Sequence, residues 1–457
     1  MPKKPLVTVY IPSKNYANYL NRSIESVIFQ TFLEWELILI DDGSTDTSFE
    51  VMKKYVNQDN IQLYKTDSIG LPSVCNFALA KANGKYILRL DGDDILNENA
   101  LLVMVNSLES SMNYSFTFSD FALIDEDDRI ISYELREALG IIDHYQNIPP
   151  HGACTLWNTQ ILREIGGYRE DLGAQDGFDM WTKLKDAYKF SHIKLPLFYY
   201  RQHAENMTSN SLKIQKARSA IKLDFVKEKF KSMNPVTAII PCRENYDFTK
   251  NLWSKQIYSK NLLEISIESC LKSKIIENII VIADNLDVMK YVEKYEDRVK
   301  FIQRTRQSTL PSVPLGKAIV DTLNIEELRN IDLIFIKHIA AIFVNTSVID
   351  EVISTQLYEE SDSAVLVSKI RRQLLKRSRF GLENVYEPGM LSNNLDSYYL
   401  NNGGAISFST KNLKIGSTFG SKIAYVEVDE KVDYFIDSEI KLEIAKNDFI
   451  LNSNLEI

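Results

Sequence analysis

Residues 6–120 alternate short β-rich runs with helical patterns, and this alternation restricts the chain to one class of fold. Runs such as VTVYIP, WELILIDD and KYILRLDGDD are separated by helical segments such as YLNRSIESVIFQTF and VCNFALAKA. Strands that alternate with helices in this way form a mostly parallel sheet that the helices cover. Ligands of such sheets bind beyond the carboxyl ends of the strands, which is where PSKN, DDGSTD and DGDD lie in this sequence.

The same pattern begins again near residue 235, where PVTAIIPCREN, like LVTVYIPSKN, is a β-rich run that ends in a proline followed by polar residues. The runs that follow, LLEISIESCLKSK, ENIIVIADN and VKFIQRT, again have βαβ order. We therefore predict an α/β protein with two Rossmann-like domains, over residues 1–210 and 235–457. Residues 211–234 are predicted to form a basic helical linker that ends at Asn-Pro, with a solvated charged face favoured over contact with anionic lipid.

Charge and cysteine usage exclude several classes of protein. The 457 residues carry a formal net charge of −9, so attraction to nucleic acid is not expected. The four cysteines are scattered without a CxxC pair, which gives no support to a disulfide scaffold or a structural zinc site. The chain shows no signal-peptide pattern and no run of about 20 apolar residues. A cytoplasmic protein is expected, with membrane contact only peripheral, at the inner face.

Three carboxylates, those of Asp91, Asp93 and Asp94, crowd together in the stretch YILRLDGDDIL. Carboxylates within about 4–6 Å raise one another's pKa unless a cation neutralises them. A hard divalent ion, Mg²⁺ or Mn²⁺, is therefore the expected occupant of this turn, where it would coordinate a diphosphate. A simple polar turn is the alternative, because Asp and Gly are common turn residues.

Six motifs decide between these readings: VTVYIPSKN, WELILIDDGSTD, ANGKYILRLDGDD, GGYRED, AQDGFDMWTKL and YYRQHAENMT. In this order they resemble the family 2 inverting glycosyltransferases of GT-A fold, and they cover residues 6 to about 210. The resemblance implies a nucleotide-sugar donor at the first half of the sheet and an acceptor hydroxyl at the second half. The acceptor would be a glycan or a lipid-linked molecule.

The resemblance carries nucleotide-binding roles to positions that match the family's motifs. Asp42 matches a carboxylate that hydrogen-bonds the base, which suits the imide N–H of uracil, so a UDP-sugar is the default donor. Asp91 matches the first position of the DxD element, near the ribose. The nucleotide-binding residues implied in this way are Pro12, Ser13, Asn15, Asp42, Asn76 and Asp91.

The metal and catalytic roles follow in the same way. Asp93 matches the position that binds the metal directly, and His203 in YYRQHAEN matches a histidine that supplies a second ligand to Mn²⁺ or Mg²⁺. An ordinary surface histidine is the alternative for His203. Asp176 matches the family's catalytic base, which takes the acceptor proton as the oxygen attacks the anomeric carbon. An N-cap role for Asp176 is compatible with that assignment.

One departure from the family affects the donor site. Many relatives have an arginine immediately before the asparagine that corresponds to Asn76, in the helix that precedes a Gly-x-Tyr motif. In this chain, PSVCNFALAKANGKY has Cys75 at the position of that arginine. One contact to the base or phosphate is therefore in doubt.

The second half resembles, more faintly, the cytidylyltransferases that make CMP-activated acid sugars, over residues 235–446. It lacks the GGSKG loop, reads KHIAAIF where relatives carry PTSPLR, and has one carboxylate where they have two. Without two carboxylates a site holds Mg²⁺ poorly, so turnover by this half is not expected. A nucleotidyltransferase-like fold that binds a ligand, forms a homo-oligomer or positions the acceptor is expected instead. The residues that match family positions are Arg243, Lys250, Asn251, Asn402, Gly403 and Asp437.

Three functions remain open on the sequence. The first is a metal-dependent inverting glycosyltransferase of surface polysaccharide synthesis with a degenerate second domain. The second is a bifunctional glycosyltransferase and CMP-sugar synthetase. The third is a scaffold that binds sugar nucleotides without turnover, although the combination of Asp93, Asp176 and His203 opposes it. The basic cluster KIRRQLLKRSRF is predicted to be an exposed charged helix, with an anionic glycan or lipid phosphate as the alternative partner.

Overall fold

The computed structural model divides between Ala217 and Arg218 into two compact units, and each is described by itself. The residues that the structure describes are 4–110, 114–135, 151–203, 211–323, 328–370, 374–379, 381–385, 399–415 and 417–451.

The first unit is built on one mixed sheet. Its strands are β1 Val7–Ser13, β2 Trp35–Asp42, β3 Ile61–Thr66, β4 Tyr86–Arg89, β5 Ile95–Leu96, β6 Tyr114–Ile124, β7 Ile130–Glu134, β8 Thr155–Asn158 and β9 Lys189–Arg201. The order is β3-β2-β1-β4-β8-β6-β9-β5, with β7 on β6. Strands β3, β2, β1 and β4 are parallel, whereas β8 is antiparallel to both β4 and β6. The predicted parallel sheet is therefore present over the first four strands, and the sheet becomes mixed beyond them.

Helices cover both faces of this sheet. They are α1 Ala17–Ile28, α2 Ser48–Lys53, α3 Leu71–Lys81, α4 Ala100–Glu109, α5 Thr159–Glu164 and α6 Asp176–Leu184. Val9 and Ile11 of β1 pack with α1, α2 and α4, whereas Tyr10 packs on the opposite face with α3, α5 and α6. This alternation follows from the two-residue period of a strand. Each large aliphatic side chain buried in this way contributes about 1.5–3 kcal/mol to folding.

The second unit repeats the parallel order of the first. Its strands are β10 Val236–Pro241, β11 Gln256–Ile257, β12 Lys260–Asn261, β13 Ile276–Ala283, β14 Val299–Gln303, β15 Leu333–Lys337, β16 Ser363–Lys369, β17 Leu375–Ser378, β18 Gly381–Asn384, β19 Tyr399–Leu400, β20 Ala405–Ser409 and β21 Ile423–Glu427. The main sheet has the order β14-β13-β10-β15-β20-β16-β19, with β21 on β16. Strands β14, β13, β10 and β15 are parallel, like β3, β2, β1 and β4 of the first unit.

The helices of the second unit also lie on both faces of its sheet. They are α8 Leu262–Leu271, α9 Met289–Val292, α10 Leu315–Thr322, α11 Thr346–Tyr358 and α12 Glu439–Leu451. Helix α8 begins at a capping box in which Asn261 and Glu264 exchange hydrogen bonds. Ile240 packs with α8, α11 and α12, and the adjacent Ile239 packs with α10.

Helix α7, Ser211–Lys231, contains the division between the units. The sequence predicts a basic linker with a solvated face, but Lys222 is buried and donates to Thr355 Oγ1 at 2.7 Å. Its ammonium also lies 3.7 Å from Glu351. Burial lowers the pKa of Lys222 to about 8, against the opposing effect of Glu351. One face of the Arg218–Lys231 part of this helix is therefore packed into the second unit, whereas Asp224 and Lys227 of the same helix are exposed.

The basic cluster also differs from its prediction in the part that the structure describes. Residues 371–373 and 380 lie outside the described residues. Leu375–Ser378 and Gly381–Asn384 pair as an antiparallel hairpin, so this part is not the charged helix that we expected. No helix among the described residues combines the length and the apolar character that crossing a membrane requires.

A second buried lysine gives a prediction for stability. Burial lowers the pKa of Lys337 to about 8, and its ammonium donates to the carbonyl oxygens of Ala341 and His338. The unfolded chain therefore binds more protons between pH 8 and 10, and Lys337 raises the free energy of unfolding by up to about 1.4 kcal/mol per pH unit. Urea denaturation from pH 7 to 10 should show a smaller rise for Lys337→Met than for the native chain.

The exposed Lys290, which pairs with Asp287, provides the control. Lys290→Met should keep the native pH dependence. An identical pH dependence for Lys337→Met and the native chain would contradict the assignment.

Candidate active site

The DGDD turn lies at the carboxyl end of β4, beside the end of β1. The N–H of Asp94 donates to the carbonyl oxygen of Asp91 at 3.1 Å, which closes the turn. A Cβ on Gly92 would lie 3.1 Å from Ser13 Oγ, so the turn packs closely against the end of β1. The predicted nucleotide residue Ser13 and the predicted metal turn are therefore neighbours.

Asp94 connects this turn to strand β9. Its Oδ1 accepts the N–H of Arg201 at 2.9 Å, and within the described residues its buried Oδ2 has no hydrogen-bond donor. Burial, followed by the charges of Asp93 and Asp91, raises the pKa of Asp94 well above its usual value. The side chain faces into the protein, which agrees with a role in shaping the turn.

Arg201 is a site residue that the sequence analysis did not single out. Its guanidinium is 1% exposed and donates to the carbonyl oxygens of Asp93 at 2.7 Å and Asp125 at 2.8 Å. It also pairs with the carboxylate of Asp128, and it lies over the ring of Tyr19. Arg201 therefore fixes the backbone of the DGDD turn and the β6–β7 turn to the end of β9. Its place two residues before His203 was the only signal in the sequence.

Asp93 and His203 meet across this arrangement. Asp93 Oδ2 and His203 Nε2 lie 2.9 Å apart, and their side chains are 8% and 4% exposed. The imidazole stacks on Tyr19, with the ring centroids 5.4 Å apart. The two residues predicted to bind metal, 110 positions apart in sequence, are therefore in direct contact. The surface-histidine alternative does not fit this burial.

Asp176 is the first residue of α6, and the cap position before it is Gln175, which has φ 61°. Its Oδ2 forms a close ion pair with Arg89 Nη1 instead of capping the helix. Arg89 Nε lies 3.1 Å from Asp91 Oδ1, so one guanidinium joins the two carboxylates. Burial alone lowers the pKa of Arg89, but Asp176 and Asp91 raise it well above its usual value.

Asp91 shows that the carboxylates share one site. Burial raises its pKa to about 6 against the lowering effect of Arg89, and the charges of Asp93 and Asp176 contribute to the rise. The charges of the predicted base Asp176 and of the predicted metal ligand Asp93 both affect the pKa of Asp91. The three carboxylates therefore belong to a single acidic cluster and do not lie on opposite sides of the unit.

Gly152 permits the close packing of this cluster. A Cβ at this position would lie 3.0 Å from Arg89 Nη2 and 3.3 Å from Asp176 Oδ2. Two residues on, the N–H of Cys154 donates to the carbonyl oxygen of Arg89 at 2.8 Å. The start of β8 is thus held against the end of β4, and a larger residue at 152 would displace the ion pair.

Arg89 also lies next to Cys75, the residue that stands where many relatives have an arginine. Arg89 Nη1 lies 3.9 Å from Cys75 Sγ. A positive charge is therefore present beside position 75, although it comes from β4 and not from α3.

The first three predicted nucleotide residues lie at the carboxyl end of β1. Pro12 is buried at the end of β1, and Ser13 Oγ is buried without a hydrogen-bond partner among the described residues. Asn15 has φ 62°, and its side chain accepts the N–H of Thr45 at 2.8 Å. Its own N–H donates to Ser44 Oγ at 3.0 Å. These bonds fix the loop after β1 to the DDGSTD loop.

Asp42 and Asn76 are both engaged by the protein. The Asp42 carboxylate accepts the N–H groups of Ile69 and Gly70 at 2.8 and 2.9 Å. The side chain of Asn76 exchanges two hydrogen bonds with the backbone of Tyr168. The neighbouring Asp41 has a buried Oδ1 for which the described residues supply no donor, so Asp41 joins Asp42 as a candidate for base recognition.

The position of Arg201 leads to a stability prediction. Arg201→Met removes the buried guanidinium that donates to the carbonyl oxygens of Asp93 and Asp125 and pairs with Asp128, so the free energy of unfolding should fall by about 3–5 kcal/mol. Arg22→Ala is the matched control, because Arg22 pairs with the same Asp128 at 2.7 Å but is 61% exposed. That variant should lose at most about 1 kcal/mol. Equal losses in urea denaturation of the two variants would contradict the role given to Arg201.

Residues 8–160 match the family model described as glycosyl transferase family 2. This range contains Asp91 and Asp93 and ends before Asp176 and His203, whose place in the site rests on the contacts described above. Chondroitin synthase from Escherichia coli is 27% identical over 262 residues, 53% of this chain and 36% of that protein. Hyaluronan synthase from Pasteurella multocida is 27% identical over 222 residues, 46% of this chain and 22% of that protein.

The chain thus spans well under half the length of these curated relatives. Among solved structures, S. aureus TarS in complex with UDP is 20% identical, with a TM-score of 0.39, over 48% of this chain and 65% of that chain. The mannosyltransferase PcManGT from Pyrobaculum calidifontis, in complex with GDP-Man and Mn²⁺, is 16% identical, with a TM-score of 0.40, over 50% and 65%. From the family match and its own sheet order, the first unit carries a glycosyltransferase domain of family 2 with a GT-A-like α/β fold.

Proposed function

We propose that this protein is a metal-dependent inverting glycosyltransferase of polysaccharide synthesis. It moves a sugar from a nucleotide sugar, with a UDP-sugar as the default donor, to a hydroxyl of a glycan or a lipid-linked acceptor. The observation that carries the proposal is the acidic cluster in which Arg89 joins Asp91 to Asp176, while Asp93, two residues after Asp91, contacts His203. The names of the chondroitin and hyaluronan synthases support the assignment to polysaccharide synthesis.

Asp93 and His203 fit a divalent cation. They bring a carboxylate oxygen and an imidazole nitrogen together at 2.9 Å, and both donor types suit Mn²⁺. Within the described residues no group of three or more His, Cys, Asp or Glu ligands is present, so donor phosphates and water would complete the coordination. When bound, the cation supplies positive charge to the leaving diphosphate.

Asp176 is the proposed base. Its carboxylate is oriented by Arg89 and Gly152, and it belongs to the same cluster as Asp93. In an inverting transfer it receives the proton of the acceptor hydroxyl while the hydroxyl oxygen attacks the anomeric carbon. The bond from that carbon to the diphosphate breaks as the new glycosidic bond forms. Arg89 is a positioning residue in this account, because it acts through Asp176.

The second unit has a supporting role in this proposal. Asp437, which matches the remaining metal carboxylate of the cytidylyltransferases, is exposed and pairs with Lys441 at 2.7 Å. The side-chain amide of Asn402, another residue that matches a cytidylyltransferase position, donates from Nδ2 to Asp433 Oδ2 at 2.9 Å. These contacts favour a single-function glycosyltransferase over a bifunctional enzyme that also makes a CMP-sugar.

Hydrolysis of UDP-sugars with Mn²⁺ tests the base and the metal residue. Asp176→Asn should lower turnover by about 10²–10⁴-fold while donor binding persists in a thermal-shift assay. Asp93→Ala should lower both turnover and the stabilisation that donor and Mn²⁺ give together. Asp186→Asn is the control, since Asp186 lies just beyond α6, is 66% exposed and pairs with Lys185. Unchanged turnover in Asp176→Asn would refute the base assignment.

A further inference from the structure

The second unit contains a pocket of about 190 Å³ that the glycosyltransferase function does not use. It lies at the carboxyl edge of the parallel strands, because Arg243 follows β10, Arg304 follows β14 and His338 follows β15. Apolar side chains between residues 310 and 318 form another wall. Ligands of open parallel sheets bind at this edge.

Two guanidinium groups line the pocket without a carboxylate partner in the described part of the chain. Arg304 is 8% exposed and donates from Nη2 to the carbonyl oxygen of Cys242 at 2.7 Å. Its buried Nε finds no acceptor there. The guanidinium of Arg243 lies over the ring of Tyr246, 4.6 Å from the centroid. Both groups thus retain hydrogen-bond donors for a ligand.

His338 adds a third group at the same edge. Its buried Nδ1 has no hydrogen-bond partner among the described residues. Burial, followed by the charges of Lys337, Arg243 and Arg304, lowers the pKa of His338 to about 4. The imidazole is therefore neutral near pH 7, and the charged side chains that line the pocket are those of Arg243 and Arg304.

Two acidic residues, Asp284 and Glu244, lie near the pocket, and the charge of Asp284 acts on Arg304. Asp284 accepts the N–H of Glu244 at 2.8 Å and the hydroxyl of Thr309 at 3.4 Å. The Glu244 carboxylate lies 3.4 Å from Arg306, which is 83% exposed. Neither carboxylate forms an ion pair with Arg243 or Arg304 in the described residues, so both guanidinium groups keep hydrogen-bond donors for an anion.

Charge and volume together specify the class of ligand. A phosphate monoester carries about −1.5 to −2 charges at pH 7, which matches two guanidinium groups. Pockets for drug-sized ligands are about 300–1,000 Å³, so this smaller one suits a compact molecule. We propose that the pocket binds a compact phosphate monoester, such as a phosphorylated sugar, without a metal ion. Arg243 and Arg304 hold the phosphate, and the apolar wall receives the organic part.

Calorimetric titration of the full chain in EDTA tests this proposal, with ribose 5-phosphate as the probe and ribose as the uncharged control. Ribose 5-phosphate should bind and ribose should not. Arg243→Met should weaken binding by about tenfold or more, because it removes a charged hydrogen-bond donor. Lys290→Met should keep the native affinity, since the exposed Lys290 pairs with Asp287 and does not line the pocket.

Four results would overturn the proposal. They are no binding of ribose 5-phosphate, equal affinity in Arg243→Met and the native chain, equal affinity for inorganic phosphate and ribose 5-phosphate, and binding confined to CTP with Mg²⁺. The last result would instead assign the edge to a nucleotide. The proposal does not depend on the glycosyltransferase assignment, because all of its residues lie in the second unit.

Discussion

Buried arginines hold the acidic edge of the first sheet together. Arg89 joins Asp91 to Asp176, and Arg201 joins the DGDD turn to the β6–β7 turn and the end of β9. Carboxylates at such a density repel one another and resist burial unless cations and hydrogen-bond donors compensate them. The two guanidinium groups supply that compensation from different strands. The relative positions of the proposed base and the proposed metal ligand therefore depend on these two side chains.

The two units use the same sheet edge for opposite charges. In the first unit the parallel strands β3, β2, β1 and β4 end in a cluster of carboxylates, whereas in the second unit the corresponding strands end beside Arg243 and Arg304. An acidic edge suits a cation that brings a diphosphate, and a basic edge suits a bare anion. One strand order thus carries two different proposed ligand sites, because the residues that follow the strands determine the chemistry.

The sequence predicted what depends on local patterns. Strand and helix alternation gave the parallel cores, and the DGDD stretch, Asp176 and His203 were assigned from motifs. Partners distant in sequence were not predictable: Arg89 meets Asp176 87 positions away, and Arg201 is held by backbone carbonyls whose position depends on the folded turns. Lys222 looked like a surface lysine because composition does not show which face of α7 is packed. The charges of Leu375–Ser378 and Gly381–Asn384 fit a helix or a hairpin equally well, and the structure pairs the two as antiparallel strands.

The most direct test of the account is anomalous diffraction at the manganese absorption edge from crystals of the full chain grown with UDP and Mn²⁺. The account predicts an anomalous peak within bonding distance of the Asp93 carboxylate and the His203 imidazole, with diphosphate oxygens on the same ion. A peak at any other carboxylates, or no peak while UDP is bound, would contradict it.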